Sequence, residues 1–412
     1  MSTSPKTVVI LGASMAGLPL AHNILKNTAP KVPGGLKVVL VSPNTHLYWC
    51  LASVRGVLPG ADGGFGDDKL FYEIAPGFAK YTPEQFEFVL GSATALDPAA
   101  KTVTVQPSSG SGSEEGAAAE PKTLSYDYVV VATGSSARDG MPWKTAGDTA
   151  ATRALLEQWR AKVAAAKSIV VAGAGLTGIE VAGELGDAYA SKGTKDVTIV
   201  VDDDLPLPDK FSRPVRAAAL AELERLKVKV LVSRRVTSAK EAEDGTGVVT
   251  LEIANKAGGG GGGGGDPETL TTDLYMPTFG VVFNTAFVPA DLLDAAGRVR
   301  TTSRLRAEGH DDVYALGDAA SLQPPNAMHI EPQVAYVAKD LAARLLAPDT
   351  AAAAAAPPAA EFKPSETIMF MASIGKGRGV GQVGSFKLPS FATWLVKSRT
   401  LLTQRGPATV AA

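Results

Sequence analysis

The apolar residues of this chain gather into short uninterrupted runs, and two of those runs open the same three-part pattern. Residues 7–11 (TVVIL) are continuous and largely β-branched, a glycine turn follows at 12–17 (GASMAG), and residues 18–25 then place apolar side chains at helical spacing. Roughly 160 residues later, 168–172 (SIVVA), 173–178 (GAGLTG) and 181–185 repeat the pattern. Continuous runs of this kind predict strands buried on both faces, as in a parallel sheet covered by helices. Further runs at 37–41, 196–201 and 311–316 extend the prediction. Alternating segments at 101–105 with 124–131, and at 248–253 with 270–276, predict two hairpins. Their tips are the Ser/Gly/Glu/Ala-rich stretch 107–121 and the nearly pure glycine stretch 257–266. Loop-closure cost grows slowly with length, so such tips are tolerated. A third low-complexity stretch, Ala/Pro-rich 347–360, marks a linker before a C-terminal piece. All three are expected to be mobile, because none can bury enough apolar area to offset chain entropy. No repeat of 20–50 residues is present.

A strand, a glycine turn and a helix form the framework that receives a dinucleotide pyrophosphate. The first turn is GxSxxG. Gly12 permits the tight turn, Ser14 stands where backbone must approach phosphate, and Ala16 and Gly17 let the helix lie close to the strand. The acid that ends the second strand of such a fold is missing; Ser42 and Asn44 stand there instead. The second turn is a full GxGxxGxE, with Gly173, Gly175, Gly178 and Glu180, and in its strand–helix context this signal is strong. Asp202 or Asp203 would face the ribose, which favours NADH over NADPH; a solvated acidic turn is the plainer alternative. Three strand ends complete the set: Ala132-Thr133-Gly134; Gly280, with Pro289 downstream; and Gly317-Asp318. An acid after glycine at a strand's carboxyl end suits a ribityl or pyrophosphate-proximal hydroxyl. Pro332-Gln333-Val334 reads as a helix start with proline at its first position.

Composition narrows the function. With 412 residues, 45% apolar and 20% charged, the chain fits two large domains plus an extra piece. A net charge of −2 without dense Lys/Arg clusters gives no support for nucleic-acid binding. The single cysteine, Cys50, excludes an internal disulfide or dithiol pair and fits a reducing compartment. The strand at residue 7 leaves no room for a secretory or transit leader, Ser2 excludes myristoylation, and no apolar run is long enough to span a bilayer. His46, His310 and His329 lack metal-ligand spacing, so no metal site is expected.

Taken together, these stretches resemble the two-dinucleotide-binding FAD/NAD(P)H oxidoreductases of the pyridine nucleotide-disulfide reductase superfamily. Segments 41–55 (VSPNTHLYWCLASVR) and 379–402 (GVGQVGSFKLPSFATWLVKSRTLL) are similar to the apoptosis-inducing-factor-like branch, which includes the ferroptosis suppressors and fungal relatives. The resemblance covers most of the chain outside the three low-complexity stretches. It implies an α/β fold of two doubly wound Rossmann-like domains, with the NAD domain inserted in the FAD domain, plus a small α+β C-terminal region. The expected boundaries are 1–145 and 277–346 for FAD, 146–276 for NAD(P)H, 347–360 for the linker and 361–412 for the C-terminal region. Hydride would pass from NAD(P)H to FAD and electrons then to a quinone-type acceptor. A biosynthetic oxidoreductase acting on a small natural product is one alternative. A redox-switched signalling or binding flavoprotein is another.

The resemblance also implies site roles. Glu180 and Arg55 are expected to form a salt bridge at the nicotinamide–flavin junction, positioning the ring; otherwise Glu180 merely complements a helix N-terminus, worth ~0.3–1 kcal/mol. Gln333 stands where some relatives carry a basic residue near the flavin, and the helix starting at Pro332 should aim its N–H groups at the pyrimidine edge. Cys50 reads either as a redox thiol or, more commonly, as a buried inert one. His329 either contacts the flavin or is a plain loop residue. Tyr48 and Trp49 either wall the flavin or fill core. Residues 387–402 either rest on a lipid surface or pack on protein or a second subunit, and packing is slightly favoured. A cytoplasmic location, peripheral to a lipid surface, is expected; mitochondrial association and a homodimer stay open.

Overall fold

The computed structural model describes residues 5–108, 120–243, 247–255, 268–347 and 360–411. The expectation of mobile loops at 107–121, 257–266 and 347–360 falls almost wholly outside them. A seven-stranded sheet runs in the order Val313–Ala315, Tyr128–Val131, Lys6–Leu11, Leu36–Ser42, Phe86–Asp97, Thr102–Pro107, Lys122–Ser125. Its first five strands pair in parallel and its last two are antiparallel. The chain leaves this unit at Ser135–Ala137 and returns at Val281–Phe283, and these two segments pair antiparallel. Between them lies a second parallel sheet ordered Lys229–Leu231, Asp196–Val200, Ser168–Ala172, Leu274–Pro277. An antiparallel sheet of Arg234–Glu241, Val249–Asn255 and Glu268–Thr272 is attached to it. The fold is therefore α/β, with one doubly wound unit inserted into another.

Two runs read as single strands are each broken by an aspartate. In 124–131 the break is Asp127, whose Oδ2 accepts the Thr7 N–H at 2.7 Å. In 270–276 it is Asp273, whose Oδ2 accepts the Lys167 and Ser168 N–H groups at 2.8 Å each. The same device serves both units. A strand coming out of an antiparallel hairpin turns at an aspartate, ties off the first parallel strand, and then joins the parallel sheet beside it.

The helix Ala327–Leu346 covers the first sheet. It is held by Arg306, whose guanidinium donates to both oxygens of buried Asp340, and by the Tyr314 hydroxyl, which donates to Asp340 at 2.6 Å. It does not start at Pro332. Asn326 caps it by accepting the Met328 N–H at 3.0 Å, and Pro332 lies inside the helix. A side-chain cap at Asn326 outweighs the preference of proline for a first turn.

The C-terminal sheet Met369–Ile374, Arg378–Val383, Phe386–Lys387 lies on the helix Leu176–Ala188. Contact is close at Gly183, where a Cβ would stand 2.7 Å from the Ile374 Cα. The last residues then return to the first unit. Trp49 Nε1 donates to the Leu401 carbonyl (3.0 Å), the Tyr72 hydroxyl to that of Thr403 (2.8 Å), and His22 Nε2 meets that of Val410 (3.0 Å).

Candidate active site

Two clefts stand at the carboxyl ends of the two parallel sheets. The first is a cavity of about 260 Å³ whose lining includes Gly12, Ser14, Ser42, Asn44, Thr133 and Asn284. Gly12 (φ +109°) cannot carry a side chain, because a Cβ would stand 2.4 Å from the Ala132 carbonyl oxygen. Ser42 Oγ accepts the Asn44 N–H at 3.1 Å, so the pair that replaces the usual acid forms a small polar turn on the cavity wall. A Cβ on Gly134 would meet nothing within 4 Å, and Asn284 donates to the Thr133 carbonyl at 3.1 Å. Thr133 Oγ1 is buried and has no hydrogen-bond partner among the described residues. An orphaned buried hydroxyl is costly unless a bound group supplies its partner, so the lining fits a polar cofactor.

Beside this glycine turn Gly317 approaches Ala16, with a would-be Cβ 3.7 Å from that of Ala16. Asp318 Oδ2 accepts from Lys144 Nζ (2.8 Å) and Ser135 Oγ (2.7 Å), and Oδ1 accepts from nothing among the described residues. Gln333 is buried. Its Oε1 accepts the Gly317 N–H at 2.7 Å and its Nε2 donates to Gln323 at 2.9 Å. It therefore fixes the Gly317-Asp318 corner, one helical turn and more beyond the helix start. The helix N-terminus expected at Pro332 lies instead at Ala327.

Half-buried Cys50 lies close enough to Lys144 and Asp318 to feel both charges. Burial pushes its thiol up, against the pull of Lys144, which runs counter to an activated thiolate. The Tyr48 hydroxyl donates to the Pro142 carbonyl at 2.8 Å, and its ring side lines the first cavity; Trp49 is core. His329 Nδ1 meets the Pro324 carbonyl at 3.0 Å.

The second cleft is built by Gly173 (φ +95°), Gly175 and Gly178. A Cβ on Gly178 would collide with the Gly173 carbonyl oxygen at 1.9 Å, whereas one on Gly175 would meet nothing within 4 Å. The turn thus presses helix onto strand and leaves Gly175 facing open space. No side chain caps the helix Leu176–Ala188, so its first N–H groups stay available to an anion. Thr278 Oγ1 donates to the Ala172 and Gly173 carbonyls, and Gly280 beyond it lies against Arg138. Asp202 is held by Arg235 through Nε–Oδ1 (2.9 Å) and Nη2–Oδ2 (2.6 Å).

The C-terminal region meets the helix Leu176–Ala188 at Glu180. Its Oε1 accepts from Lys397 Nζ at 2.7 Å and from the Ser373 N–H at 3.0 Å. Arg55 is not its partner. Arg55 pairs with Glu184, one turn further along the same helix face, through two 2.7 Å contacts, and donates to the Ser398 carbonyl at 2.7 Å. The expected Arg55–Glu180 bridge is thus replaced by two pairs, Lys397–Glu180 and Arg55–Glu184, because the ammonium already occupies the Glu180 level. Lys397, Glu184 and Lys144 were not foreseen. The i, i+4 spacing of Glu180 and Glu184 was visible in the sequence, but not which of them each cation would take.

Residues 6–341 match the pyridine nucleotide-disulphide oxidoreductase family. The chain belongs to that family. FAD and NAD(P)H are its cofactors, in keeping with the glycine turn at the carboxyl end of each parallel sheet. Having one cysteine, the chain offers no internal dithiol. It is 36% identical to oxidoreductase ptaL of Pestalotiopsis fici over 98% of both chains. It is 31% identical to oxidoreductase phnG of Penicillium herquei, over 97% of this chain and 94% of the other. Ferroptosis suppressor protein 1 of Mus musculus is 26% identical over 98% and 95% of the two chains. In fold, the chain is similar to the sulfide:quinone oxidoreductase of Aquifex aeolicus, with a TM-score of 0.70, 15% identity, and 98% and 91% coverage.

Proposed function

We propose that this oxidoreductase passes electrons from NAD(P)H through FAD to a quinone-type acceptor, and that it meets the acceptor at a lipid surface. FAD supplies the redox chemistry when bound, taking hydride from the nicotinamide and releasing electrons to the acceptor. The chain's own residues position and insulate. Gly12, Ser14, Ala16, Gly17, Ser42, Asn44, Ala132, Thr133, Gly134, Gly317, Asp318 and Gln333 would hold FAD. Gly173, Gly175, Gly178, Glu180, Asp202 and Gly280 would hold NAD(P)H. The proposed limits of the nicotinamide unit are 146 and 276, supported by the helix Thr149–Ala165 and the strand Leu274–Pro277 that bracket its sheet.

One observation carries this reading. The Lys397–Glu180 ion pair lies in the first turns of the nicotinamide-unit helix, its side chains 12% and 8% exposed, and Lys397 belongs to the segment that exposes Phe391, Leu395 and Val396. A charge pair largely shielded from water there would keep the carboxylate in one orientation, so that the nicotinamide and the flavin would be stacked rather than merely adjacent. The same segment offers an apolar face where a lipophilic acceptor would arrive.

Anaerobic mixing with NADH or NADPH, followed at the flavin band, tests the first half. Glu180→Gln and Lys397→Met should each slow flavin reduction by tenfold or more while the protein stays yellow. An unchanged rate in both removes the pair from the mechanism. Reoxidation by a soluble quinone faster than by dioxygen supports the acceptor class. Flavin reduction without quinone turnover would favour the alternative of a small natural-product substrate.

A further inference from the structure

The second cleft carries an arrangement that its glycine turn does not require. Beyond the strand Asp196–Val200 the chain reads Asp202-Asp203-Asp204, and three guanidinium groups reach these three acids. Arg235 grips Asp202 bidentately, at 2.9 and 2.6 Å. Arg213 reaches Asp204 at 2.8 Å, and Arg216 reaches Asp204 at 3.2 Å and Asp203 at 3.8 Å. An acid at this place favours NADH because it repels the 2′-phosphate of NADPH. Here the repulsion is already cancelled by an equal number of cations.

Position follows from register. Ala172 pairs with Val200, and Gly173 N–H donates to the Val200 carbonyl at 3.1 Å, so Asp202 stands level with the glycine turn. The acidic loop then folds back onto that turn, where the Leu207 N–H donates to the Ala174 carbonyl at 2.8 Å. The adenosine ribose of a dinucleotide lying across the turn would meet Asp202 and Arg235 together.

The three arginines are not equivalent. Arg216 is buried and also donates to the Leu205 carbonyl (3.0 Å), so it is committed to the loop. Arg235 is 64% exposed, and its Nη1 has no partner among the described residues. An exposed ion pair contributes little and exchanges partners at small cost, and a guanidinium fork fits phosphate as well as carboxylate.

We propose that Arg235 is the coenzyme-selecting residue, exchanging Asp202 for the 2′-phosphate so that the cleft accepts NADPH as readily as NADH. With NADH, Arg235 stays on Asp202 and holds its carboxylate for the ribose hydroxyls. With NADPH, the guanidinium turns to the phosphate. The inference rests on the dinucleotide reading of this cleft.

Binding of 2′,5′-ADP and of 5′-AMP to the FAD-loaded protein, measured by calorimetry, separates the two claims. The intact protein should bind 2′,5′-ADP at least as tightly as 5′-AMP, and raising ionic strength should weaken the former more. Arg235→Ala should shift the ratio of the two dissociation constants by tenfold or more against 2′,5′-ADP. Arg235→Lys should restore part of that shift, and Asp202→Asn should move the ratio the other way. The NADPH-to-NADH ratio of kcat/KM should follow the same order. A ratio left unchanged by Arg235→Ala, with both nucleotides still bound, overturns the role of Arg235 alone. Binding of neither nucleotide by the intact protein would overturn the cleft assignment as well.

Discussion

Arg55 and Glu184 are paired and sealed from solvent, with side-chain exposures of 2% and 0%. Burial pushes the Glu184 carboxyl above its ordinary range, and the Arg55 guanidinium beside it opposes that push. Removing one member of such a pair strands the other and typically costs about 3–5 kcal/mol, whereas replacing both with apolar side chains is often near neutral. Arg55→Met should therefore lower stability by about 3–5 kcal/mol in denaturant unfolding. Arg55→Met combined with Glu184→Met should recover most of the loss. If the double variant is no better than the single one, packing rather than a stranded charge is responsible. The glycines at both turns were legible in the sequence because only backbone geometry dictates them. The partner of Glu180 was not, because two acids on one helix face and two candidate cations differ only in where distant segments come to rest.

Elements announced themselves where one period ran uninterrupted. The strands expected at 7–11, 37–41, 168–172 and 196–201 appear at Lys6–Leu11, Leu36–Ser42, Ser168–Ala172 and Asp196–Val200, since continuous β-branched runs have few other stable uses. The breaks at Asp127 and Asp273 were hidden, because apolar alternation continues through them and the turn is dictated by a hydrogen bond to a strand more than a hundred residues away. The helix Gly17–Asn23 shows what such distant contacts do to chemistry. Its His22 stacks on Phe78 at 4.0 Å, and burial lowers its pKa from the ordinary 6.5, against the favourable Val410 carbonyl. A histidine depressed in the folded state binds its proton more readily when unfolded. Stability is therefore full above about pH 6.5 and falls as pH drops from there towards the lowered value. Thermal melts between pH 7.5 and 5.5 should show this loss, and His22→Gln should flatten it. An unchanged slope in that variant would assign acid sensitivity to other groups.

For the whole molecule, the doubled strand–turn–helix pattern made the nested α/β plan readable before any coordinates, and the family match over residues 6–341 follows that plan. The C-terminal region was less readable, since its strands are short and its value lies in what it touches. Among the described residues no helix is long and apolar enough to cross a membrane. Yet Phe386, Phe391 and Leu395 are 66%, 70% and 56% exposed, and Trp394 lies between the last two in sequence. If this face rests on lipid, Phe391→Asp with Leu395→Asp should abolish co-sedimentation with phosphatidylcholine vesicles and leave the flavin spectrum intact. Equal sedimentation of both forms would place the acceptor's approach elsewhere.

The return of residues 398–410 to Arg55, Trp49, Tyr72 and His22 has a consequence for biogenesis. These side chains wait for carbonyls synthesised more than three hundred residues after them. The insert can assemble before this return is made, but the outer unit closes only once it is, so a nascent polypeptide halted short of it would present an unfinished surface to chaperones.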